Sequence, residues 1–272
     1  MQYKTFQSVL SADAIKILCE FYRKHDEFLD QRPDVSSKKL RWDLDDFPQD
    51  ILQTALDVIL PDDYEVEVVH FFDSKISFRL HTDGGDTAND PIYRNVILPI
   101  WIDGPATTVL FDNHYNGPST RFAQSNADPF RYNLQNVKGD FVWVDDIRDL
   151  LYQCKTAPNE VNDFHVDADF IRSLESLIEK RGQDADRRTS DYSAVTNYRP
   201  NRPIDRAMYD RYLRHMPLED LQGLTVEYIY DWQVGGALTF PRTQLHCAGF
   251  GHNRKIGVSI FTRYKKLDFS NQ

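Results

Sequence analysis

The spacing of apolar residues changes at residue 64, and this change limits the folds that the chain can adopt. The first predicted helix carries its apolar stripe at Ile15, Leu18, Cys19 and Tyr22. Ser11 is suited to cap this helix, a second helix is predicted between Pro48 and Pro61, and the polar residues 31–46 between them predict a loop. Beyond residue 64 the period shortens to that of β-strands.

Strands are predicted at residues 65–72, 76–81, 94–102, 107–111, 139–144, 224–230, 237–240 and 255–263. Pro99 lacks an N–H group, so its strand is expected at a sheet edge or with a bulge there. Helices are also predicted at residues 170–178 and 205–215. Two separate domains would each hold too few strands to close a sandwich. We therefore predict one mainly β domain over residues 1–272, with helices packed at its N-terminus and residues 114–223 as an insertion between core strands.

Composition excludes several classes of protein. The longest apolar run, residues 96–102, is far shorter than the roughly 20 residues that cross a bilayer, and no secretory signal precedes it. Three cysteines without a close pair are typical of a reducing compartment. A formal charge of −10 disfavours a broad nucleic-acid-binding surface. These features predict a soluble, cytoplasmic protein with no membrane partner.

Three residues form a candidate metal site. His81 and Asp83 lie two positions apart at the end of an alternating segment, where both side chains point to one face of a strand. His246, shortly before the last strand, is the candidate third ligand. Two imidazoles and one carboxylate with open positions beside them are typical of non-haem Fe(II) sites. A second His-x-Asp copy, His165 with Asp167, precedes a predicted helix, and there an aspartate (Asp167 or Asp169) is expected to cap the helix instead.

In their order along the chain, these segments resemble the 2-oxoglutarate/Fe(II)-dependent dioxygenase superfamily. The motifs that carry the resemblance are the His-x-Asp strand, residues 94–102 and 235–241, His246, and the final strand 255–261. The resemblance covers roughly residues 64–113 and 224–263 with the supporting N-terminal helices, and the insertion between them matches nothing in the superfamily. It implies a double-stranded β-helix (jelly-roll, cupin-like) core. It also implies Fe(II), 2-oxoglutarate and O2 as cofactor and cosubstrates, with hydroxylation or another oxidation of a C–H bond and release of succinate and CO2.

The resemblance also implies a basic residue shortly after the distal histidine that binds the C5 carboxylate of 2-oxoglutarate. Lys255 and Arg254 lie nine and eight positions after His246. Strand phase favours Lys255, because it shares a face with the small residues Gly257 and Ser259, and Ser259 is a candidate second donor. Arg254 and, further along, Arg263 stay open as alternatives, since Arg forms a bidentate pair that Lys cannot.

Trp101 and Phe111 are expected in the core or in the pocket wall. The acidic charge favours a small-molecule or amino-acid-like substrate, and a protein side chain stays open. The insertion 114–223 is interpreted as either a lid or a dimer contact. Two other functions stay open. They are a cupin-like metal enzyme that does not use 2-oxoglutarate and a non-catalytic β-sandwich binding module.

Overall fold

The computed structural model describes residues 3–25, 35–40, 47–61, 64–74, 77–123, 132–185, 188–189, 191–251 and 253–265. The main helices are α1 (Ala12–Lys24), α2 (Gln49–Ile59), α3 (Ile147–Thr156) and α4 (Ala168–Ala185), and a short helical segment, Arg206–Met208, continues into a π-helical turn, Tyr209–Leu213. No helix in these described ranges is both long enough and apolar enough to span a bilayer.

Most of the other described elements are β-strands, and most of these pair in antiparallel sheets. The strands are β1 (Lys4–Phe6), β2 (Val35–Leu40), β3 (Tyr64–Ser74), β4 (Ile92–Ile102), β5 (Thr107–His114), β6 (Arg121–Phe122), β7 (Tyr132–Gln135), β8 (Phe141–Val144), β9 (Arg188–Thr189), β10 (Val226–Asp231), β11 (Ala237–Pro241), β12 (Gln244–Ala248) and β13 (Lys255–Tyr264). A six-stranded sheet has the order β1-β11-β4-β13-β3-β2, and a three-stranded sheet has the order β10-β5-β12. Both sheets lie in the compact unit formed by residues 1–120 and 193–272, and residues 121–192 form a second compact unit.

The N-terminal helices cover one face of the six-stranded sheet. The Oγ of Ser11 accepts a hydrogen bond from the N–H of Ala14 at 3.1 Å, so the predicted cap of α1 is confirmed. The buried side of α1, with Leu18 and Phe21, packs with Phe71 of β3 and other apolar side chains of the sheet in one hydrophobic cluster. Burial of each such side chain stabilises the fold by roughly 1.5–3 kcal/mol, so this contact holds the sheet in place.

The other face of the six-stranded sheet packs against the three-stranded sheet. The contact is a cluster of buried apolar residues, here called the inter-sheet cluster, made of Ile97, Leu110, Tyr230, Trp232, Leu238 and Phe240. Strand β13 has one face toward the N-terminal helices and the other toward the inter-sheet cluster. Ile256, Val258 and Ile260 face the helices, as the alternation of the sequence predicts.

Pro99 lies in a central strand and is accommodated by a bulge. Gly257 of β13 pairs with Pro99 while Ile256 pairs with Trp101, so Ile100 has no partner in that ladder. The prediction of an edge or a bulge is therefore confirmed as a bulge. The extra residue interrupts the regular hydrogen bonding beside Pro99, which has no N–H to donate.

The second compact unit has its own core. The hairpin β7–β8 and the helices α3 and α4 supply this unit's hydrophobic cluster, in which Leu174 is fully buried. Asp167 caps α4, since its Oδ1 accepts from the N–H of Phe170 at 2.8 Å. The helix predicted at residues 170–178 is thus confirmed, whereas α3 and β7 were not predicted.

Two sequence predictions about local structure are wrong. The predicted loop at 31–46 contains strand β2, which pairs with β3 along its whole length; the rest of that segment lies outside the described residues. The predicted strand at 76–81 is absent over residues 77–80, and only His81 forms an isolated bridge, to His246. In this segment the Oγ of Ser77 donates to the carbonyl of Gly249 at 2.9 Å and accepts from the N–H of Gly251 at 3.1 Å.

Candidate metal centre

His81 and His246 are brought together by a reciprocal backbone bridge. The N–H of each residue donates to the carbonyl of the other at 3.0 Å. Side chains of directly opposed residues in an antiparallel pair lie on the same side, and the two imidazole centroids are 4.2 Å apart. Strand β12, which carries His246, was not predicted as a strand. Its pairing with β5 fixes this histidine.

Asp83 completes the group. Its carboxylate oxygens lie 3.1 Å from Nε2 of His246 and 3.7 Å from Nε2 of His81. One ligand atom from each of the three residues lies within 4.8 Å of the other two, and this is the metal-competent group found among the described residues. Asp83 is 8% exposed and His246 4% exposed. The three residues predicted from the sequence therefore converge, with Asp83 and His246 buried and His81 partly exposed.

Backbone carbonyls set the orientation of both imidazoles. Nδ1 of His81 lies 2.8 Å from the carbonyl of Arg79, and Nδ1 of His246 lies 3.0 Å from the carbonyl of Gln244. A carbonyl can only accept, so each Nδ1 carries a proton, and each Nε2, which faces Asp83, is the nitrogen available to bind a metal. This is the arrangement of a histidine that is ready to bind a metal through Nε2.

The surroundings of Asp83 favour its charged form. Burial alone would raise the pKa of this carboxyl. The charge and hydrogen bond of His246, the charge of His81 and a hydrogen bond from Asn95 outweigh burial and hold the pKa well below its usual range. An ionised carboxylate together with two imidazole nitrogens is a donor set suited to a divalent transition metal.

Arg242 holds the backbone on which Asp83 lies. Its guanidinium donates to the carbonyls of Asp83 at 2.7 Å and Gly84 at 3.3 Å, and it forms an ion pair with Glu67. The N–H of Asp83 in turn donates to the carbonyl of Arg242 at 3.1 Å. Sequence reasoning missed this residue, because an arginine in the two-residue connection between β11 and β12 has the pattern of an exposed turn. Here it is 2% exposed.

A short chain of hydrogen bonds connects Asp83 to β13. Nδ2 of Asn95 donates to Oδ2 of Asp83 at 2.6 Å, and Oγ of Ser259 donates to Oδ1 of Asn95 at 2.8 Å. Ser259 was predicted as a donor to 2-oxoglutarate, and its hydroxyl is engaged by Asn95 in this structure. Asn95 was not singled out from the sequence, where it is one polar residue in an otherwise apolar strand.

Lys255 lies on the same face of β13 as Ser259, and it is 6% exposed. Its Nζ is 5.2 Å from the ring centroid of Trp232, a member of the inter-sheet cluster. Within the described parts of the chain it forms no salt bridge. Burial lowers the pKa of this lysine from 10.5 to about 8.

The alternative cations have other partners. Arg254 forms a two-nitrogen ion pair with Asp73, at 2.6 Å for the shortest contact, and Asp73 also accepts from the hydroxyl of Tyr22 in α1. Arg254 is thereby held on the helix-covered face of the sheet. Arg263 pairs with Glu65 at 3.0 Å.

Three further candidates are not members of the group of converging ligands. Trp101 packs against the helix-facing cluster, with the guanidinium of Arg254 5.5 Å from its ring. Phe111 is fully buried and follows Leu110 in β5, so it points to the face opposite the inter-sheet cluster. His165 lies 3.7 Å from Asp167, as His81 does from Asp83, but its side chain is 87% exposed and no third ligand joins it among the described residues.

Comparison with known proteins gives structural likeness only. No protein-family model and no curated protein matches the sequence. The chain is similar to several solved structures. The epimerase SnoN, solved with Fe3+, alpha-ketoglutarate and nogalamycin RO, is 7% identical over 99% of this chain and 83% of that one, with a TM-score of 0.41. A Pseudomonas putida prolyl-4-hydroxylase is 10% identical over 97% of this chain and 93% of that one, with a TM-score of 0.37. EctD from S. alaskensis is 9% identical over 97% of this chain and 73% of that one, with a TM-score of 0.43. At these values the assignment of function depends on the geometry of the site.

Proposed function

We propose that this protein is an Fe(II)- and 2-oxoglutarate-dependent oxygenase with a double-stranded β-helix core. The observation that carries the proposal is the convergence of His81, Asp83 and His246, with both Nε2 atoms directed at one carboxylate. Two histidines and one carboxylate on one side of a site leave positions open for cosubstrate and O2, which is the donor set of non-haem Fe(II) oxygenases. Residues 1–272 are proposed to form one catalytic domain with residues 114–223 inserted between core strands.

The protein's own residues bind and orient the reactants. His81, Asp83 and His246 would hold the iron, and Lys255 would pair with the C5 carboxylate of 2-oxoglutarate, since it is a buried cation on the inter-sheet face of β13. Bound iron and 2-oxoglutarate together supply the activation of O2 that oxidises a C–H bond, with succinate and CO2 as products. The apolar inter-sheet cluster around Lys255 keeps water from this charge and so strengthens its attraction to a carboxylate.

The proposed substrate is a small molecule or an amino-acid-like compound, and hydroxylation is the proposed reaction. The acidic charge of −10 supports a substrate that is not a nucleic acid. A protein side chain is the other substrate consistent with this chemistry. The protein is proposed to act in the cytoplasm, on the composition of the chain alone.

The proposal is tested with the purified full chain, reconstituted anaerobically with Fe(II) and then exposed to O2 with 2-oxoglutarate. We expect succinate release even without a substrate, at a slow uncoupled rate, and calorimetric binding of 2-oxoglutarate that requires the metal. Metal binding without any heat from 2-oxoglutarate would instead indicate a cupin-like metal enzyme. Binding of neither would indicate a non-catalytic module, and either result would refute the oxygenase.

A further inference from the structure

Asp83 is held through one of its two oxygens by a buried asparagine. Nδ2 of Asn95 donates to Oδ2 of Asp83 at 2.6 Å, a short contact typical of a hydrogen bond to a charged acceptor. Asn95 is 2% exposed, and it lies on β4, so its position is set by the six-stranded sheet. The carboxylate is therefore tied to a rigid element and not only to its own loop.

The Asp83 carboxylate only accepts and so selects the NH2 end of the Asn95 amide, and Ser259 holds the other end. A side-chain amide has one donor end and one acceptor end. The Oγ of Ser259 donates to Oδ1 of Asn95 at 2.8 Å, which leaves the NH2 group for Asp83. With the amide reversed, its oxygen would face a carboxylate, and a buried pair of acceptors is unfavourable.

We propose that Asn95 and Ser259 are positioning residues for the metal site, with Ser259 acting only through Asn95. They hold the plane of the Asp83 carboxylate toward the two imidazoles before a metal binds. This inference rests on the proposed function, because it assigns a role within the same site. It also replaces the sequence-based expectation that Ser259 contacts 2-oxoglutarate, since the hydroxyl that would do so is engaged by Asn95.

The test is the affinity of the apo-protein for Mn(II), measured by calorimetry with no 2-oxoglutarate present. Loss of a group that orients a metal ligand typically weakens metal binding about 10–100-fold. We expect Asn95→Ala to fall in this range and Ser259→Ala to weaken binding by a smaller factor. Ser259→Thr keeps the hydroxyl and should restore affinity. In the Asn95→Ala background, Ser259→Ala should cost nothing more, because the two residues act in series.

A matched control removes a buried hydroxyl on the opposite face of the same strand. Thr262 is fully buried, and its Oγ1 donates to the carbonyl of Arg94 at 2.9 Å and accepts from the N–H of Arg94 at 3.2 Å. Thr262→Val should lower the melting temperature but leave Mn(II) affinity within about twofold, whereas a generally structural role for Ser259 predicts the same behaviour for both variants.

The outcomes separate this inference from the function on which it rests. Wild-type protein that binds Mn(II) while Asn95→Ala and Ser259→Ala bind it equally well overturns the positioning role and leaves the oxygenase standing. Additive losses overturn the series arrangement. If Asn95→Ala does not fold, the comparison of Ser259→Ala with Ser259→Thr decides. Wild-type protein that binds no Mn(II) overturns both proposals.

Discussion

Lys255 and Arg254 are neighbours in the chain, yet their positive charges lie in opposite surroundings. Arg254 is half-buried against Asp73, whose hydrogen bond raises its pKa. Lys255 is buried beside an aromatic ring, and desolvation lowers its pKa to about 8. A buried cation without an anion beside it is unfavourable, and an incoming carboxylate would relieve that cost. This contrast supports the proposal that Lys255, and not Arg254, binds the C5 carboxylate of 2-oxoglutarate.

The affinity for 2-oxoglutarate should therefore fall above pH 8. Below a pH of about 8 the Lys255 side chain is mostly charged. Above that pH, the fraction of protein molecules without 2-oxoglutarate that carry a charged Lys255 falls about tenfold for each pH unit. We expect the Mn(II)-loaded protein to bind 2-oxoglutarate about tenfold more weakly at pH 9 than at pH 7, by calorimetry. Lys255→Met should bind weakly at both pH values and lose this dependence.

Arg254→Gln is the matched control for that measurement. This variant should be less stable, because it loses the ion pair with Asp73, but its 2-oxoglutarate affinity should depend on pH as in the wild type. If Arg254→Gln abolished 2-oxoglutarate binding while Lys255→Met kept it, cosubstrate binding would be assigned to Arg254. Folding stability responds in the opposite direction to cosubstrate affinity. Between about pH 8 and 10.5 the unfolded chain holds the lysine proton more often than the native protein does. The contribution of Lys255 to the free energy of unfolding therefore rises with pH in that window.

At the scale of single elements, β13 provides both Lys255 and Ser259. One face of this strand packs under the N-terminal helices and the other presents Lys255, Gly257 and Ser259. Gly257 is the position of close approach. A Cβ built there would lie 2.9 Å from the Trp232 ring and 3.0 Å from the Phe72 ring. Trp232 is itself fixed, since its Nε1 donates to Oγ1 of Thr108 at 3.0 Å.

Gly257→Val should displace the Trp232 ring, because that side chain has no room beneath the two rings. We expect a loss of roughly 1–3 kcal/mol in the free energy of unfolding, the usual cost of overpacking a core, measured by urea denaturation. Weaker 2-oxoglutarate binding and a shift in tryptophan fluorescence should accompany it. Gly251→Ala is the control, since its nearest contact is the carbonyl of Pro105 at 3.9 Å. Equal stability losses for both variants would contradict this explanation.

Two of the strands that sequence reasoning missed gave only a weak signal. Strand β2 has the sequence Val-Ser-Ser-Lys-Lys-Leu, which shows no alternation and forms at a sheet edge by pairing with β3. In β12 polar and apolar residues alternate, but the run Gln244–Ala248 is only five residues long. The long strands β3, β4 and β13 were predicted well, because each holds an apolar face over ten or more residues.

At the scale of the whole chain, each compact unit contains one His-x-Asp copy. Both copies have the same 3.7 Å separation between imidazole and carboxylate. The copy at His81 is mostly buried and joined by His246, whereas the copy at His165 is exposed and its aspartate caps α4. The identical local motif therefore has two different roles, and burial with a third ligand distinguishes them.

Metal binding should stabilise the protein through the first copy only. At a free Mn(II) concentration of 100 times Kd, binding to the native state adds about 2.7 kcal/mol to the free energy of unfolding. We expect this stabilisation, read as a rise in melting temperature, to disappear in His81→Ala and to persist in His165→Ala. Stabilisation that survives His81→Ala would place the metal elsewhere.

The sequence alone determined the features that depend on local periodicity and order. These are the helical N-terminus, the long strands, the shared face of Lys255 and Ser259, and the order of His81, Asp83 and His246 along the chain. The tertiary structure decided which side chains meet. Arg254 finds Asp73 across 181 positions, and Ser259 finds Asn95 across 164. Alternation fixes the direction in which a side chain points, but a hydrogen bond or ion pair also requires a partner brought by sheet pairing, and no local pattern encodes that distance.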